Sequence, residues 1–231
     1  MRILITGSAG AIGSTLVKGL GDRHQLRGFD REPTPGLEDS LVGDIGNFDL
    51  LLKASRDMDA VIHLVNVPGG EWEHSHQSMV GTYNVFETAR INGVQRIAYA
   101  SRAGVLPQSF YPRSIQRTSD MPTKPDSYYT VSKVFGEGLG YMYHSRHGIG
   151  VTGVRIGNFN RDRDLPTHPH QLSHGDCVHL FEQCLIHPDV GFEVVFGVSD
   201  SDWPLYDLDH GRRVIGYYPK DRSHVPEEER Q

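Results

Sequence analysis

The segment Thr6-Gly7-Ser8-Ala9-Gly10-Ala11-Ile12-Gly13 follows directly on a short β-rich run, residues 2–6, and leads directly into a stretch of helical apolar spacing, with Leu16, Val17 and Leu20 inward. Few features constrain a chain more. Gly7 permits the tight turn from strand to helix, Gly10 lets the backbone come close to a pyrophosphate, and Gly13 lets the helix pack against the strand it has just left. The helix start then offers free N–H donors and the positive end of a dipole. In that context the three glycines predict a dinucleotide-binding turn, with Ala11 and Ile12 in the first helical turn against the ligand.

The rest of the chain continues the alternation. Strands are expected at residues 25–30, 60–67, 95–101 and 151–156, and helices at 14–20, 49–55, 79–92 and 128–146. The run at 60–67 is continuously apolar, the mark of a strand buried on both faces. The pattern predicts an α/β fold: an open, doubly wound parallel sheet with helices on both faces. One domain spans residues 1–231, and about 159–231, where the pattern weakens to a helix at 177–186 and a short strand at 193–198, is expected to form a small C-terminal annex.

Asp30 ends the second strand about 20 residues past the glycines, where an acid can accept hydrogen bonds from an adenosine ribose. It would repel a 2′-phosphate, which favours NAD over NADP; Arg31 next to it can instead accept that phosphate. Asp44 and Ile45 are candidates for bonding and covering the adenine, with capping of the next helix as the other reading of Asp44. Leu64, Val65 and Asn66 fall at the carboxyl edge of the sheet, where ligands bind in such folds. His63 reads as a core histidine with satisfied hydrogen bonds.

Tyr129 and Lys133 are spaced i, i+4 at the head of the long helix, one turn apart on one face. A free tyrosine, with a pKa of about 10, is a poor base at neutral pH. A nearby ammonium and a positive nicotinamide stabilise its phenolate. Tyr129 could then take a proton from a substrate hydroxyl as hydride leaves the carbon, with Lys133 also holding the cofactor ribose. Tyr128 falls on another face. Ser101, at the end of its strand, is the candidate donor to the reacting oxygen.

Taken together, residues 6–13, Asp30, Asp44 and the Tyr129–Lys133 pair resemble the extended short-chain dehydrogenase/reductases, the NAD-dependent epimerase/dehydratase family. The runs Gly81-Thr82-Tyr83-Asn84-Val85-Phe86 and Val154-Arg155-Ile156-Gly157-Asn158 fit as well, and the branch that looks closest is the uronate dehydrogenases. The resemblance implies a Rossmann-type fold, NAD as cofactor with Ile156 among its contacts, and oxidation of a sugar acid at C1 to a lactone, with Asn158 on the substrate. It also implies a homodimer built on the paired helices 79–89 and 128–146. Three departures fall on the substrate side. Where that branch carries Ser-Ser-Asn-His, with the second serine catalytic, this chain has Ser101-Arg102-Ala103-Gly104. Ser101, Ser109 or Arg102 is then the candidate replacement, Arg102 also as a clamp for an anionic substrate. The branch's carboxylate-binding arginine has only Arg161 and Arg163 nearby, and Pro68 stands where a substrate-binding serine is usual.

A net charge of −6 without a basic block argues against nucleic acid and anionic membranes as partners. No apolar stretch is long enough to span a bilayer, no secretory signal opens the chain, and two cysteines build no disulfide scaffold. A cytoplasmic enzyme on a small molecule is the expectation. No metal site is expected: His168, His170, His174, Cys177 and His179 cluster without ligand spacing, and Cys177 and Cys184 read as core. Two further functions remain open: a nucleotide-sugar epimerase or dehydratase, and a non-catalytic NAD-binding protein.

Overall fold

The computed structural model describes residues 1–67 and 69–230, so Pro68 and Gln231 lie outside the described residues. In chain order the elements are β1 (Arg2–Thr6), α1 (Ala11–Leu20), β2 (Gln25–Asp30), β3 (Ser40–Val42), α2 (Phe48–Ala54), β4 (Ala60–His63), α3 (Trp72–Ile91), β5 (Arg96–Arg102), α4 (Tyr128–His147) and β6 (Gly150–Ile156). There follow β7 (Asn158–Phe159), β8 (Gln171–Leu172), α5 (His174–Ile186), β9 (Phe192–Gly197), β10 (Asp200–Ser201), α6 (Asp209–Ile215) and β11 (Arg222–Ser223).

Seven strands form one sheet in the order β3-β2-β1-β4-β5-β6-β9, and every pairing in it is parallel. Strand alternation sorts the core into two layers. Ile3, Ile5, Ala60, Ile62, Ala98 and Ala100 face α1 and α5. Leu4, Val61, Ile97 and Tyr99 face α2, α3 and α4. The chain leaves β1 outward through β2 and β3, then crosses to β4 on the other side of β1. That reversal opens a crevice beyond the carboxyl ends of β1 and β4, the place where such sheets bind ligands.

Four differences from the sequence expectation have physical causes. The strand expected at 60–67 stops at His63, because its neighbour β1 ends at Thr6 for the Gly7 turn and the last rung is Leu64 N–H to Thr6 O, at 2.9 Å. Leu64–Val67 are thereby freed to line the crevice. Helix α3 begins at Trp72 instead of 79; its first turns bury the small polar Ser75 and Ser78, which carry no apolar period. The three-residue edge strand β3, with no fully buried residue, gave no signal. Much of the segment after Asn158 extends the main sheet and its layers: β9 pairs with β6 along Phe192–Gly197, and α5 packs on α1. What remains outside the sheet is the small β7–β8 and β10–β11 pairs with α6. Among the described residues no helix is long and apolar enough to cross a membrane.

Candidate active site

The glycine turn has the geometry its sequence implies. Gly7 sits at φ +84°, in the region that favours glycine. A Cβ on Gly13 would stand 2.2 Å from Gly7 O and 2.7 Å from Ser8 Cα, so only glycine lets α1 close on the turn. Gly10 is the N-cap of α1 and no side chain caps the helix, which leaves first-turn N–H groups for an anion. Ala11 opens that helix. Asp30 Oδ2 accepts from Ala9 N at 3.0 Å, tying the acid at the end of β2 to the glycine turn.

Beside this turn lies a cleft of about 420 Å³ whose walls include Gly7, Gly10, Asp30 and Arg31. Asp44, Ile45, Leu64, Val65 and Asn66 also line it. Nine of the residues assigned to the cofactor from sequence are thus on one surface. The cap of α2 is Asn47, which accepts from Leu50 N at 3.0 Å, and not Asp44, whose carboxylate holds Gly46 N at 2.7 Å. Three supports escaped the sequence reading. Asn84 Nδ2 on α3 donates to Ile45 O at 3.1 Å, Gly81 leaves room for the Ile45 side chain, and Ser78 Oγ accepts from Val67 N at 3.0 Å. Their signal is weak because a small polar residue on a helix usually marks a solvated face.

A second cavity, about 170 Å³, shares Leu64 and Asn66 with the cleft and adds Ile12, Ser101, Arg102, Tyr129, Lys133 and Ile156. Here α4 begins with a reciprocal cap between Ser127 and Thr130, which fixes the helix start just ahead of Tyr129. Lys133 is buried, and its Nζ donates to Ala100 O at 3.0 Å while lying 5.4 Å from the centroid of the Tyr129 ring. Burial, helped by the charge of Arg102, pushes the Lys133 ammonium down to about 8. Tyr128 is half exposed and packs edge-on to Trp72, away from this cavity.

Ser101 lines this cavity but has a partner of its own. Alternation along β5 turns it toward α4, where its hydroxyl donates to Glu137 Oε1 at 2.6 Å, and Glu137 is itself paired with Arg155 at 2.9 Å. A hydroxyl has one proton, and that of Ser101 is committed. Arg102 lines the same cavity, its guanidinium 5.4 Å over the Tyr129 ring. Ser109 is exposed on the loop outside both cavities.

A third cavity, about 250 Å³, shares Arg102, Ile156 and Gly157 with the second and is also walled by Asn158, Arg117, His170 and Tyr206. Gly157 is required there, since a Cβ would meet His170 O at 2.0 Å. Of the arginines assigned to substrate from sequence, Arg102 lines this space, whereas Arg161 and Arg163 do not: Arg161 donates weakly to Ala9 O at 3.4 Å and Arg163 to Thr167 Oγ1 at 2.9 Å, inside its own loop. The histidine-rich stretch disperses. His170 shares a hydrogen bond with Tyr206 Oη at 2.9 Å, His174 pairs with Asp164, His179 lies against the Tyr217 ring, and Cys177 and Cys184 are core. Among the described residues no group of three metal-ligating side chains gathers. His63 is fully buried between Thr6 Oγ1 at 2.7 Å and Thr82 Oγ1 at 3.1 Å.

This chain is similar to several known proteins. The model of the NAD dependent epimerase/dehydratase family matches residues 3–172. The NAD-dependent glucose-6-phosphate dehydrogenase of Haloferax volcanii is 34% identical, across 96% of this chain and 94% of that protein. The uronate dehydrogenase of Pseudomonas syringae pv. tomato is 34% identical, across 97% of this chain and 83% of that one. Among solved structures, a mutant uronate dehydrogenase from Agrobacterium tumefaciens complexed with NAD superposes with a TM-score of 0.87 at 30% identity, covering 96% of this chain and 85% of its own.

Proposed function

This chain belongs to the NAD dependent epimerase/dehydratase family, and on that premise we propose that it is an NAD-dependent dehydrogenase oxidising the C1 hydroxyl of a sugar acid or a related anionic sugar to the lactone. The observation that carries this reading is the run of three cavities with shared walls. The cofactor cleft meets the Tyr129–Lys133 cavity at Leu64 and Asn66, and that cavity meets the third at Arg102, Ile156 and Gly157. Relatives similar to this chain along nearly its whole length are dehydrogenases of a uronate and of a sugar phosphate.

The residues present fit NAD: the open α1 N-terminus suits the pyrophosphate, Asp30 the ribose hydroxyls, Asp44 and Ile45 the adenine, and Lys133 with Ile156 the nicotinamide end. When bound, NAD accepts the hydride from the substrate carbon. Tyr129 takes the hydroxyl proton and passes it to solvent. Lys133 holds positive charge beside the tyrosine ring and, through Ala100 O, is fixed there. Arg102 supplies hydrogen-bond donors to the reacting oxygen in place of Ser101, whose hydroxyl donates to Glu137. A homodimer accompanies this reading, because Trp72, Val80 and Tyr83 of α3 and Tyr128, Val131 and Phe135 of α4 are exposed on adjoining helices.

The test is initial-rate turnover with NAD across glucuronate, galacturonate, glucose 6-phosphate and neutral aldoses. Reduction of NAD with an anionic sugar is expected. Tight NAD binding without turnover on any of them would overturn the catalytic reading in favour of a non-catalytic NAD-binding protein.

A further inference from the structure

Two arginines in this molecule are almost completely buried, Arg155 at 3% and Arg117 at 2% exposure. Their surroundings differ. Arg155 is neutralised by Glu137 through two hydrogen bonds, at 3.0 and 2.9 Å. Arg117 has no carboxylate partner among the described residues. Its Nε donates to Leu106 O at 3.2 Å, its Nη2 donates to Tyr111 O, and its guanidinium lies 5.5 Å over the Tyr206 ring. The buried Nη1 has no hydrogen-bond partner among the described residues. A buried charge held only by carbonyls and a ring is expensive unless an anion meets it.

Arg117 forms part of the wall of the 250 Å³ cavity, together with Arg102, and no aspartate or glutamate lines that cavity. The phenol of Tyr206, in the same wall, feels the positive charges of Arg117, Arg102 and Arg113 against the effect of its burial. His170, hydrogen-bonded to that phenol, is pushed down to about 4, chiefly by burial and then by Arg113 and Arg117, so that it stays neutral beside them and adds no charge of its own at neutral pH.

We propose that Arg117 is the anion-binding residue of the substrate cavity, receiving the carboxylate or phosphate of the sugar while the reacting carbon lies beside Tyr129 and Arg102. The proposal rests on the dehydrogenase reading for the identity of the ligand, and on the geometry of Arg117 for its charge. It moves anion recognition from the loop after β6, where Arg161 and Arg163 lie, to the segment that leads into α4.

The test reads binding, so it stands whether or not turnover is detected. Wild-type protein saturated with NADH is titrated by calorimetry with glucuronate, glucose 6-phosphate and glucose. At least one anion should bind about tenfold or more tightly than glucose, the scale of hydrogen bonds to a charged group. The anion that wins identifies carboxylate or phosphate as the source. Arg117→Met should bring that anion down to the affinity of glucose while glucose binding holds, and Arg102→Ala should keep the preference. Equal binding of anions and glucose by the wild type overturns the proposal. So does a preference that survives Arg117→Met, or one that vanishes only in Arg102→Ala. Should Arg117→Met fail to fold, Arg117→Lys retains the cation without the planar fork, and a preference that is weakened but kept supports the assignment, whereas an unweakened one overturns it. Absence of NADH binding would strike the dehydrogenase reading instead, and the same titrations without cofactor then judge Arg117.

Discussion

The hydroxyl of Ser101 donates to Glu137 Oε1 at 2.6 Å, and the same carboxylate accepts from Arg155 Nε at 3.0 Å. The serine that its place at the strand end recommends for catalysis is thus built into a buried polar link between β5, α4 and β6. Ser101→Ala should therefore lower stability by about 1 kcal/mol, the net worth of one buried hydrogen bond, and change kcat by less than about threefold. Denaturant unfolding and steady-state kinetics on the same preparation measure both. A kcat loss near a hundredfold would return Ser101 to the reacting oxygen.

Tyr129 and Arg102 line one cavity with Ser101, and the proposed mechanism gives their variants the opposite behaviour. Tyr129→Phe is expected to keep NAD affinity and to lose at least about a hundredfold in turnover, the usual scale for a positioned acid/base group. Arg102→Ala should lower kcat by about a hundredfold with a smaller change in KM, as for the loss of a donor to a developing oxyanion. An Arg102→Ala variant with intact kcat and a raised KM would make Arg102 a substrate clamp.

The link between Asp30 and the glycine turn bears on cofactor choice. With its carboxylate 3.0 Å from Ala9 N, Asp30 lines the cleft beside the glycine turn, with Arg31 next to it. NADH should bind at least about tenfold more tightly than NADPH, and Asp30→Ser should shrink that ratio. Fluorescence titration of both reduced cofactors decides it; tighter NADPH binding by the wild type would mean that Arg31 prevails.

Acid should weaken the fold through His63. Burial, with the charge of Lys133, pushes this imidazole from 6.5 down to about 3 in the folded chain. Between those values the unfolded chain holds one proton more than the folded one, so the slope of stability with pH is positive there. Stability present above about 6.5 is lost as pH falls, at up to about 1.4 kcal/mol per pH unit for this group. Burial of His170, pushed down to about 4, adds a second contribution of the same sign. His63→Gln should remove about one proton's share of the slope in urea titrations across the acid range. A slope equal to that of the wild type would assign the acid sensitivity to other groups.

The apolar side chains exposed along α4 predict assembly. Val131 and Phe135 are 40% and 38% exposed and stand one turn apart. Sedimentation at micromolar concentration should give a dimer for the wild type and a monomer for Phe135→Glu, since a charge in the middle of a two-fold helix interface is met by its own copy. A wild-type monomer would remove the homodimer from the reading.

The gathering of the candidate cofactor residues was legible in the sequence because its signals are local. A positive-φ glycine, a helix that starts without a side-chain cap and an acid at a strand end are each specified by a few consecutive residues, and the parallel sheet then brings Gly7, Asp30, Asp44 and Asn66 to one edge. The Tyr129–Lys133 pair was legible for the same reason, as the period of one helix. The substrate half was not. Which way Ser101 and Arg102 turn depends on the register of β5 against α4, and the fate of the Ser101 proton depends on Glu137, 36 residues away. Arg117 looks in the sequence like any loop arginine. It becomes a buried, unneutralised cation only because the loop before α4 folds under Tyr206, 89 residues downstream, with Arg117 N bonded to Leu205 O at 2.9 Å. Local propensity carries no information about such pairings, because their energy arises from desolvation and contact between segments that only the tertiary fold brings together.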